Sequence, residues 1–465
     1  MARVAIIPQH LNDRYHSPCL CGDADHDGQV EIYGVDYRPG DHPVSGFERV
    51  WANQYARIPL DVQVNRLLSG IGDGDNDSLV ELLVVNNELG NDSVSIVESP
   101  DSRSYPSITV WKCGIPPSDL AIPFGYTDLD RDGRPEIAVG RAWYGAPPDG
   151  GIVLYENTGD NRYDSVAFLS CPYVQHYTFR CMDTGDFDRD GLCELAAGTN
   201  WFVYVFEATG GDNQYALSAV CTLAVDTDFV YYLSSANDMD LDGRPEYVLM
   251  SYPGYDYIKL AVYESGSHAK YRQVWQRLVQ GPPLFSDIGM SVGDVDGDST
   301  NEFAYSVQGF TEIFKCCGPD QYEPVWSIDS GTGLCRLFDV NRNGRAELIL
   351  DEGRDSLHAH CNIYEDTAGL SVAAPPEFEQ KRTAAAAASI VSLNVMAAFT
   401  GLPPDVAIEI HGIDGRLVSR ASGVRQSSWT WDLRNQAGNL VPAGTYFAVV
   451  RSKGKSTSLK LCVVK

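Results

Sequence analysis

Asp128-Leu-Asp130-Arg-Asp132-Gly133-Arg134-Pro-Glu136-Ile-Ala-Val-Gly140 carries an acidic loop straight into a short apolar strand, and the same grammar recurs along the chain. The seven copies read GDADHDGQVEI, GDGDNDSLVEL, TDLDRDGRPEI, GDFDRDGLCEL, NDMDLDGRPEY, GDVDGDSTNEF and FDVNRNGRAEL. Counting the first aspartate of each loop as position 1, oxygen-bearing side chains stand at positions 1, 3, 5 and 9 every time. They are Asp23, Asp25, Asp27 and Glu31; Asp73, Asp75, Asp77 and Glu81; Asp128, Asp130, Asp132 and Glu136; Asp186, Asp188, Asp190 and Glu194; Asp238, Asp240, Asp242 and Glu246; Asp294, Asp296, Asp298 and Glu302; and Asp339, Asn341, Asn343 and Glu347. Successive loops start 45 to 58 residues apart, the size of one small structural unit.

A hard cation such as calcium takes oxygen ligands from alternating positions of a flexible loop, with a glycine allowing the sharp turn. In the third loop Asp128, Asp130 and Asp132 offer side-chain oxygens, Gly133 turns the chain, Arg134 offers its carbonyl and Glu136 closes the site. Carboxylates about 4 Å apart repel by roughly 1 kcal/mol per pair in water and more where water is excluded. A divalent ion turns that repulsion into binding. Turn-forming tendency of Asp, Asn and Gly explains one such loop, but not seven in phase that all end in Glu followed by an apolar or aromatic residue. The expectation is up to seven Ca2+ ions, with the Asp339 loop weakest because Asn341 and Asn343 lower its charge. Ser78 and Ser299 replace the turn glycine, so loops two and six are expected to be looser or to turn differently.

The formal charge of −28 follows largely from these loops, and seven divalent ions would return half of it. Nucleic acid and anionic membranes require a basic footprint, so neither is an expected partner. An apolar content of 44% with 11% aromatics supports a packed core. No apolar run reaches membrane-spanning length, so no membrane insertion is expected. The opening residues hold an apolar run, Val4 to Ile7, far short of a secretory leader; either the true start lies upstream or export takes another route. The 12 cysteines form no zinc-like pattern. Extracellular disulfides and buried thiols acting as small apolar residues both stay open.

Each loop is followed by a short apolar run of the kind that suits a strand buried on both faces. A second strand then ends in an aliphatic and an aromatic residue: Val50-Trp51, Val110-Trp111, Leu154-Tyr155, Val205-Phe206, Val262-Tyr263, Ile313-Phe314 and Ile363-Tyr364. In most units a Gly/Asp/Asn turn leads on to a tyrosine, as at Tyr163, Tyr215 and Tyr322, which reads as a hairpin to an outer strand. Four strands per unit, repeated, is the signature of a β-propeller. At the amino end, Arg3 to Pro8 and the turn before Tyr15 match the aromatic strand and turn of a unit that lacks its acidic loop. A closing strand of a seven-bladed ring is favoured, with the remnant of an eighth blade as the alternative.

On these loops the chain resembles the FG-GAP/VCBS repeat family, whose calcium-loop blades also build the head propeller of integrin α subunits. The resemblance covers roughly residues 1–370 and implies an all-β propeller that binds calcium. The family's usual aspartate at position 9 is Glu here. Gly140 and Gly198 stand where the family's post-strand glycine falls, whereas Met250, Ser306 and Asp351 depart from it.

The grammar stops near Thr367, and residues 371–389, with Ala-Ala-Pro-Pro and the run Ala384 to Ala388, read as a linker. Residues 390–465 alternate as strands, with a turn at Ile413-Asp414-Gly415. This tail is similar to the FlgD-like immunoglobulin fold and to the carboxyl-terminal sorting domains of type IX secretion substrates. The matching stretches are IleAspGlyArgLeuVal, TrpAspLeuArgAsnGlnAlaGlyAsnLeuValProAlaGlyThrTyrPhe and LysLeuCysValValLys. The resemblance implies a module that an outer-membrane export machine reads, or one that anchors the protein at the surface.

No nucleophile elbow, zinc-protease helix or phosphate-binding loop is present. Among nine histidines only His358 and His360 point two imidazoles to one strand face. Trp143, in a loop outside the repeat, is the best candidate for a surface ligand contact. The expected protein is a secreted or cell-surface calcium propeller with an Ig-like β-sandwich, a non-enzymatic adhesion module for an extracellular protein or glycan ligand. A polysaccharide lyase or hydrolase on the same scaffold and a structural surface-layer component are the alternatives. A cluster of Arg, Lys and carboxylates at the central channel would favour the enzyme.

Overall fold

In the computed structural model of the chain, the run after the third acidic loop forms a strand, Glu136–Trp143, whose residues Glu136 to Gly140 are all buried. Successive side chains of a strand point to opposite faces, and the two faces find different partners. Ile137 and Val139 pack with Leu83, Val85 and Ile96 of the preceding unit, while Ala138 packs with Leu195, Ala197 and Tyr204 of the following one. A strand buried on both faces by neighbouring sheets reads as a continuous apolar run, which is what the sequence shows.

The structure describes residues 1–7, 19–35, 44–51, 54–58, 60–62, 64, 67–88, 91–114, 119–143, 150–171, 179, 181–199, 202–222, 229–252, 257–267, 270–280, 288–307, 309–331, 333, 335–352, 360–367, 391–392, 397–400, 406–412, 416–424, 428–442, 444–452 and 455–464. The chain divides into two compact units, Met1–Val372 and Ala373–Lys465. The expected linker 371–389, the turn at 413–415, His358 and the amino-terminal turn before Tyr15 lie outside the described residues, as does the side chain of Trp143.

The first unit holds seven four-stranded antiparallel sheets, the blades of a β-propeller. Blade 3 is typical: Asp119–Thr127, Glu136–Trp143, Gly151–Gly159 and Arg162–Ser170 lie side by side in chain order. Blades 1, 2, 4, 5 and 6 repeat that order over residues 20–58, 67–114, 181–222, 229–280 and 288–328. Blade 7 takes three strands from 335–365 and its outer strand, Ala2–Ile7, from the amino end, which pairs antiparallel with His360–Glu365. The amino-terminal strand therefore closes a seven-bladed ring.

A hydrophobic cluster fills each junction between blades, including the closing one. There Ile7, Ile349 and Ile363 of blade 7 meet Cys21, Ile32 and Phe47 of blade 1. At roughly 1.5–3 kcal/mol per fully buried large aliphatic or aromatic side chain, these junctions supply the unit's main cohesion. Gly140 marks one tight approach, since a Cβ there would sit 2.8 Å from the ring of Phe179.

The aromatic residues lie where expected in blades 3 to 7 but not in blades 1 and 2. Phe47, not Trp51, stands opposite Ile32, and Trp111 lies on the fourth strand of blade 2 while Val97 takes the position opposite Leu82. In blades 5 and 6 the aligned aromatic pairs stack, Tyr247 on Tyr263 and Phe303 on Phe314, with centroids 5.0 Å apart in both.

The second unit is a small Ig-like β-sandwich. A five-stranded sheet runs Val391–Ser392, Lys455–Val464, Gly444–Ser452, Val406–Gly412, Leu417–Val424, and a two-stranded sheet pairs Ala397–Thr400 with Ser428–Trp431. Trp431 of the smaller sheet is buried against Tyr446 of the larger, at 5.6 Å between centroids. Its indole N–H is satisfied by the carbonyl of Arg434 at 2.9 Å.

Candidate metal centres

Every acidic loop joins the first strand of a blade to the second and folds on its own carboxylates. In the third loop Gly133 donates its N–H to Asp128 Oδ2 at 3.0 Å, and Arg134 donates to Asp132 Oδ1 at 2.8 Å. The amide of Leu129 donates to Glu136 Oε2 at 2.7 Å. This last bond recurs in all seven loops, the position-9 glutamate accepting from the amide of position 2. The turn needs left-handed backbone twice, at position 4 as well as position 6: Arg131 has φ 63° and Gly133 φ 94°. Ser78 and Ser299 take the left-handed φ of the glycines they replace, 72° and 69°, but in these two loops the position-5 amide donates to Oδ1 of position 1, where loops one, three, four and five use position 3.

One oxygen of each glutamate is thus used, and the other is left bare in loops one to four. Oε1 of Glu31, Glu81, Glu136 and Glu194 is buried with no hydrogen-bond partner, as is Oδ1 of Asp23, Asp128, Asp186 and Asp238. An unpaired buried carboxylate oxygen is costly. Burial is also the main reason the carboxyls of Glu31, Glu136 and Glu194 are pushed up to about 8, and those of Glu81 and Glu246 to about 9; neighbouring aspartates add to it. Asp23, Asp25, Asp27 and Glu31 converge closely enough to hold a metal ion, as do Asp186, Asp188, Asp190 and Glu194, and Asp238, Asp240, Asp242 and Glu246. Bare, converging hard oxygens fit a hard divalent cation.

The last two loops resolve the same problem without an ion. In loop six the ammonium of Lys315, from the third strand of blade 6, lies 2.7 Å from Asp296, 2.9 Å from Asp298 and 2.7 Å from Glu302. Only 3% of that side chain is exposed. Burial works against its charge, but the three carboxylates outweigh it and hold the ammonium above its ordinary value. In loop seven the Asn341 amide donates to Glu347 Oε1, and Asn343 donates to Glu365 at 2.8 Å. Up to seven sites were expected from the sequence, the Asp339 loop weakest; loop six carries its own ammonium, and loop seven fills its site with neutral amide donors.

The loops are also joined to one another. Position 4 of one loop reaches the next: His26 bonds the carbonyl of Ser78 at 3.1 Å, Asn76 that of Gly133 at 3.1 Å, and Arg189 that of Gly243 at 2.9 Å. Arg342 of the last loop meets Asp23 of the first at 2.7 Å, across the closing joint. In the other direction the hairpin between the third and fourth strands of one blade reaches back to the loop before it. The backbone N–H of Asn161 donates to Asp75 at 2.6 Å, that of Asn213 to Asp130 at 2.5 Å and that of Asp320 to Asp240 at 3.0 Å. The tyrosines that follow, Tyr163, Tyr215 and Tyr322, have buried hydroxyls beside those loops.

A second glutamate, unremarked in the sequence, stands opposite position 9 on the third strand: Glu48, Glu98, Glu156, Glu207 and Glu264 in blades 1 to 5. Arg134, expected to offer a carbonyl, turns its guanidinium to Glu156 at 3.0 Å. At the closing joint Arg49 and Tyr55 of blade 1 line a small cavity with Asn341, Glu347 and Glu365.

Eleven cysteines are free thiols in the described residues, none bridged. Burial pushes the Cys193 thiol up to about 11 and Cys316 to about 12, as expected of small apolar residues rather than nucleophiles. His360 lies 3.8 Å from Glu352. Among the described residues no helix is long and apolar enough to cross a membrane.

No model of a known protein family matches the chain, and no curated protein matches it in sequence. Solved structures do. The structure of BBS1N in complex with ARL6DN, soaked with lead, is 12% identical, with 80% of this chain and 98% of that one covered and a TM-score of 0.51. PorZ, a surface component of the type IX secretion system of Porphyromonas gingivalis, is 12% identical over 95% of this chain and 58% of its own, with a TM-score of 0.38. Rhamnogalacturonan lyase PL11 of Bacillus licheniformis is 15% identical over 76% of this chain and 71% of its own, with a TM-score of 0.42. The chain shares the β-propeller fold with the first of these.

Proposed function

We propose that the protein is a calcium-braced propeller of the FG-GAP/VCBS kind, a secreted or cell-surface module that binds an extracellular protein or glycan and is not an enzyme. The observation that carries this reading is the set of bare, buried carboxylate oxygens in loops one to five. Calcium held there by the position 1, 3, 5 and 9 side chains supplies the missing charge and fixes each loop. Because each loop contacts both neighbouring blades, the ion's effect passes to the ring as a whole.

The carboxylates of this protein serve its framework, and the inner strands are nearly uncharged: among the described side chains they carry Asp183 and Arg336. That supports binding over polysaccharide cleavage. Seven of the eleven described thiols are buried, which keeps them from oxidants and from cross-linking. The carboxy-terminal sandwich serves export by the outer-membrane secretion machinery, or anchoring.

The reading is tested by thermal unfolding of the full chain in calcium and in a chelator, alongside a glycan and matrix-protein binding screen under both conditions. A large fall in Tm on chelation, with ligand binding lost in parallel, is expected. An unchanged Tm contradicts the calcium bracing, and turnover of a polysaccharide on the screen contradicts the non-enzymatic role.

A further inference from the structure

Behind the acidic loop of blade 2 lies a second group of carboxylates, Asp75, Asp77 and Glu98 of that blade with Asp160 from the hairpin of blade 3, each offering an oxygen within 4.8 Å of the others. The corresponding carboxylates at the next junction, Asp132, Glu156 and Asp212, act on Arg134, whose guanidinium lies 3.0 Å from Glu156 and 3.8 Å from Asp132. The same holds at the junction of blades 5 and 6, where Asp242, Glu264 and Asp320 act on Arg244, and Arg272 adds a second guanidinium 2.7 Å from Glu264. In both, the cation comes from position 7 of the loop. Position 7 of blade 2 is Leu79.

Among the described residues no ion pair reaches this group. Glu98 is 6% exposed; its Oε1 accepts from the Asn161 side chain at 3.2 Å, and its Oε2 is buried without a partner. The charged groups that act most on Glu98, namely Asp77, Asp75 and Asp160, all carry its own sign. Asp75 also keeps a bare buried oxygen, Oδ1. The positions that hold an arginine in those two junctions hold none in blade 2, and one of the four carboxylates there is a buried glutamate with a bare oxygen.

We propose that blade 2 binds a second calcium ion between Asp75, Asp77, Glu98 and Asp160, in the place that Arg134 and Arg244 fill in the later junctions. Asp75 and Asp77 belong to both the loop site and this one, so the two ions form a pair bridged by shared carboxylates. The second ion ties blade 2 to blade 3 directly, since three of its ligands come from one blade and the fourth from the other. An all-oxygen, all-carboxylate ligand set selects calcium over softer metals. The inference rests on the loops being calcium sites, and it adds one ion to their number.

The test is the number of calcium ions bound per full chain, read by elemental analysis after equilibrium dialysis. Leu79→Arg brings in the missing guanidinium and is expected to lose one calcium relative to the unsubstituted chain; Glu98→Gln is expected to lose the same one. Arg134→Leu empties the corresponding position in the next junction and is expected to gain one, a result that misfolding cannot imitate. The proposal is overturned if Leu79→Arg and Glu98→Gln retain the full number, or if Arg134→Leu gains none. A chain that binds no calcium at all overturns the loop reading itself, which separates the two failures.

Discussion

Replacing Lys315 by methionine should turn the one ion-independent aspartate loop of the ring into a calcium-dependent one. The ammonium is 3% exposed and touches three carboxylates at 2.7 to 2.9 Å. Methionine keeps the length and apolar stem but takes the ammonium away from Asp296, Asp298 and Glu302. Removing one partner of a buried ion pair costs about 3–5 kcal/mol. With an unfolding entropy of about 2 cal/mol/K per residue, a propeller of this size loses Tm by roughly 5 °C for 4 kcal/mol. Glu302, which burial pushes up to about 7 against the pull of Lys315, can escape part of the cost by taking a proton. The assay is therefore differential scanning calorimetry at pH 8, in chelator and in millimolar calcium. The variant should melt lower than the parent in chelator and regain most of the loss in calcium, because the vacated cradle now resembles those of loops one to five. Equal stability of variant and parent in chelator, or a loss that calcium does not repair, would refute the idea that Lys315 acts as a resident cation.

Two further outcomes follow from the loops. In chelator, stability should fall as pH rises from about 4.5 to about 8. Burial raises the carboxyls of Glu31, Glu81, Glu136, Glu194 and Glu246 from 4.5 to about 8 or 9, so the folded chain holds more protons than the unfolded one across that window. Their contribution is present below 4.5 and lost on rising through 8; calcium, which favours the charged form, should flatten the profile, and urea titrations at pH 5 and pH 8 measure it. Ser78→Gly and Ser299→Gly should each stabilise by about 0.5–1 kcal/mol, since both serines sit at φ near 70° where a side chain is strained; a fall in urea midpoint for both would count against that strain.

The acidic loops were legible because their ligands lie within nine residues and their backbone bonds are local. The strands were legible because burial on both faces leaves an uninterrupted apolar run. What the sequence hid is carried by distance along the chain. Lys315 lies 13 residues beyond Glu302, on another strand, and looks like any strand lysine until the register sets it against the loop. The turn before Tyr163 was visible as a turn, yet its partner Asp75 is 86 residues away in the preceding blade. Trp51 and Trp111 imitated the aromatic register of the later blades although neither stands beside its loop, because an aliphatic–aromatic pair is common in any strand. Left-handed backbone at position 4 had a glycine to announce it in loop six alone, Gly297, since His26, Asn76, Arg131, Arg189, Leu241 and Arg342 adopt it in the others.

Anomalous scattering from crystals grown in calcium, collected at long wavelength, tests the bracing of the ring most directly. Peaks are expected beside Glu31, Glu81, Glu136, Glu194 and Glu246, with none at the Lys315 ammonium. No peak at those five glutamates, or a peak displacing Lys315 from loop six, would contradict it.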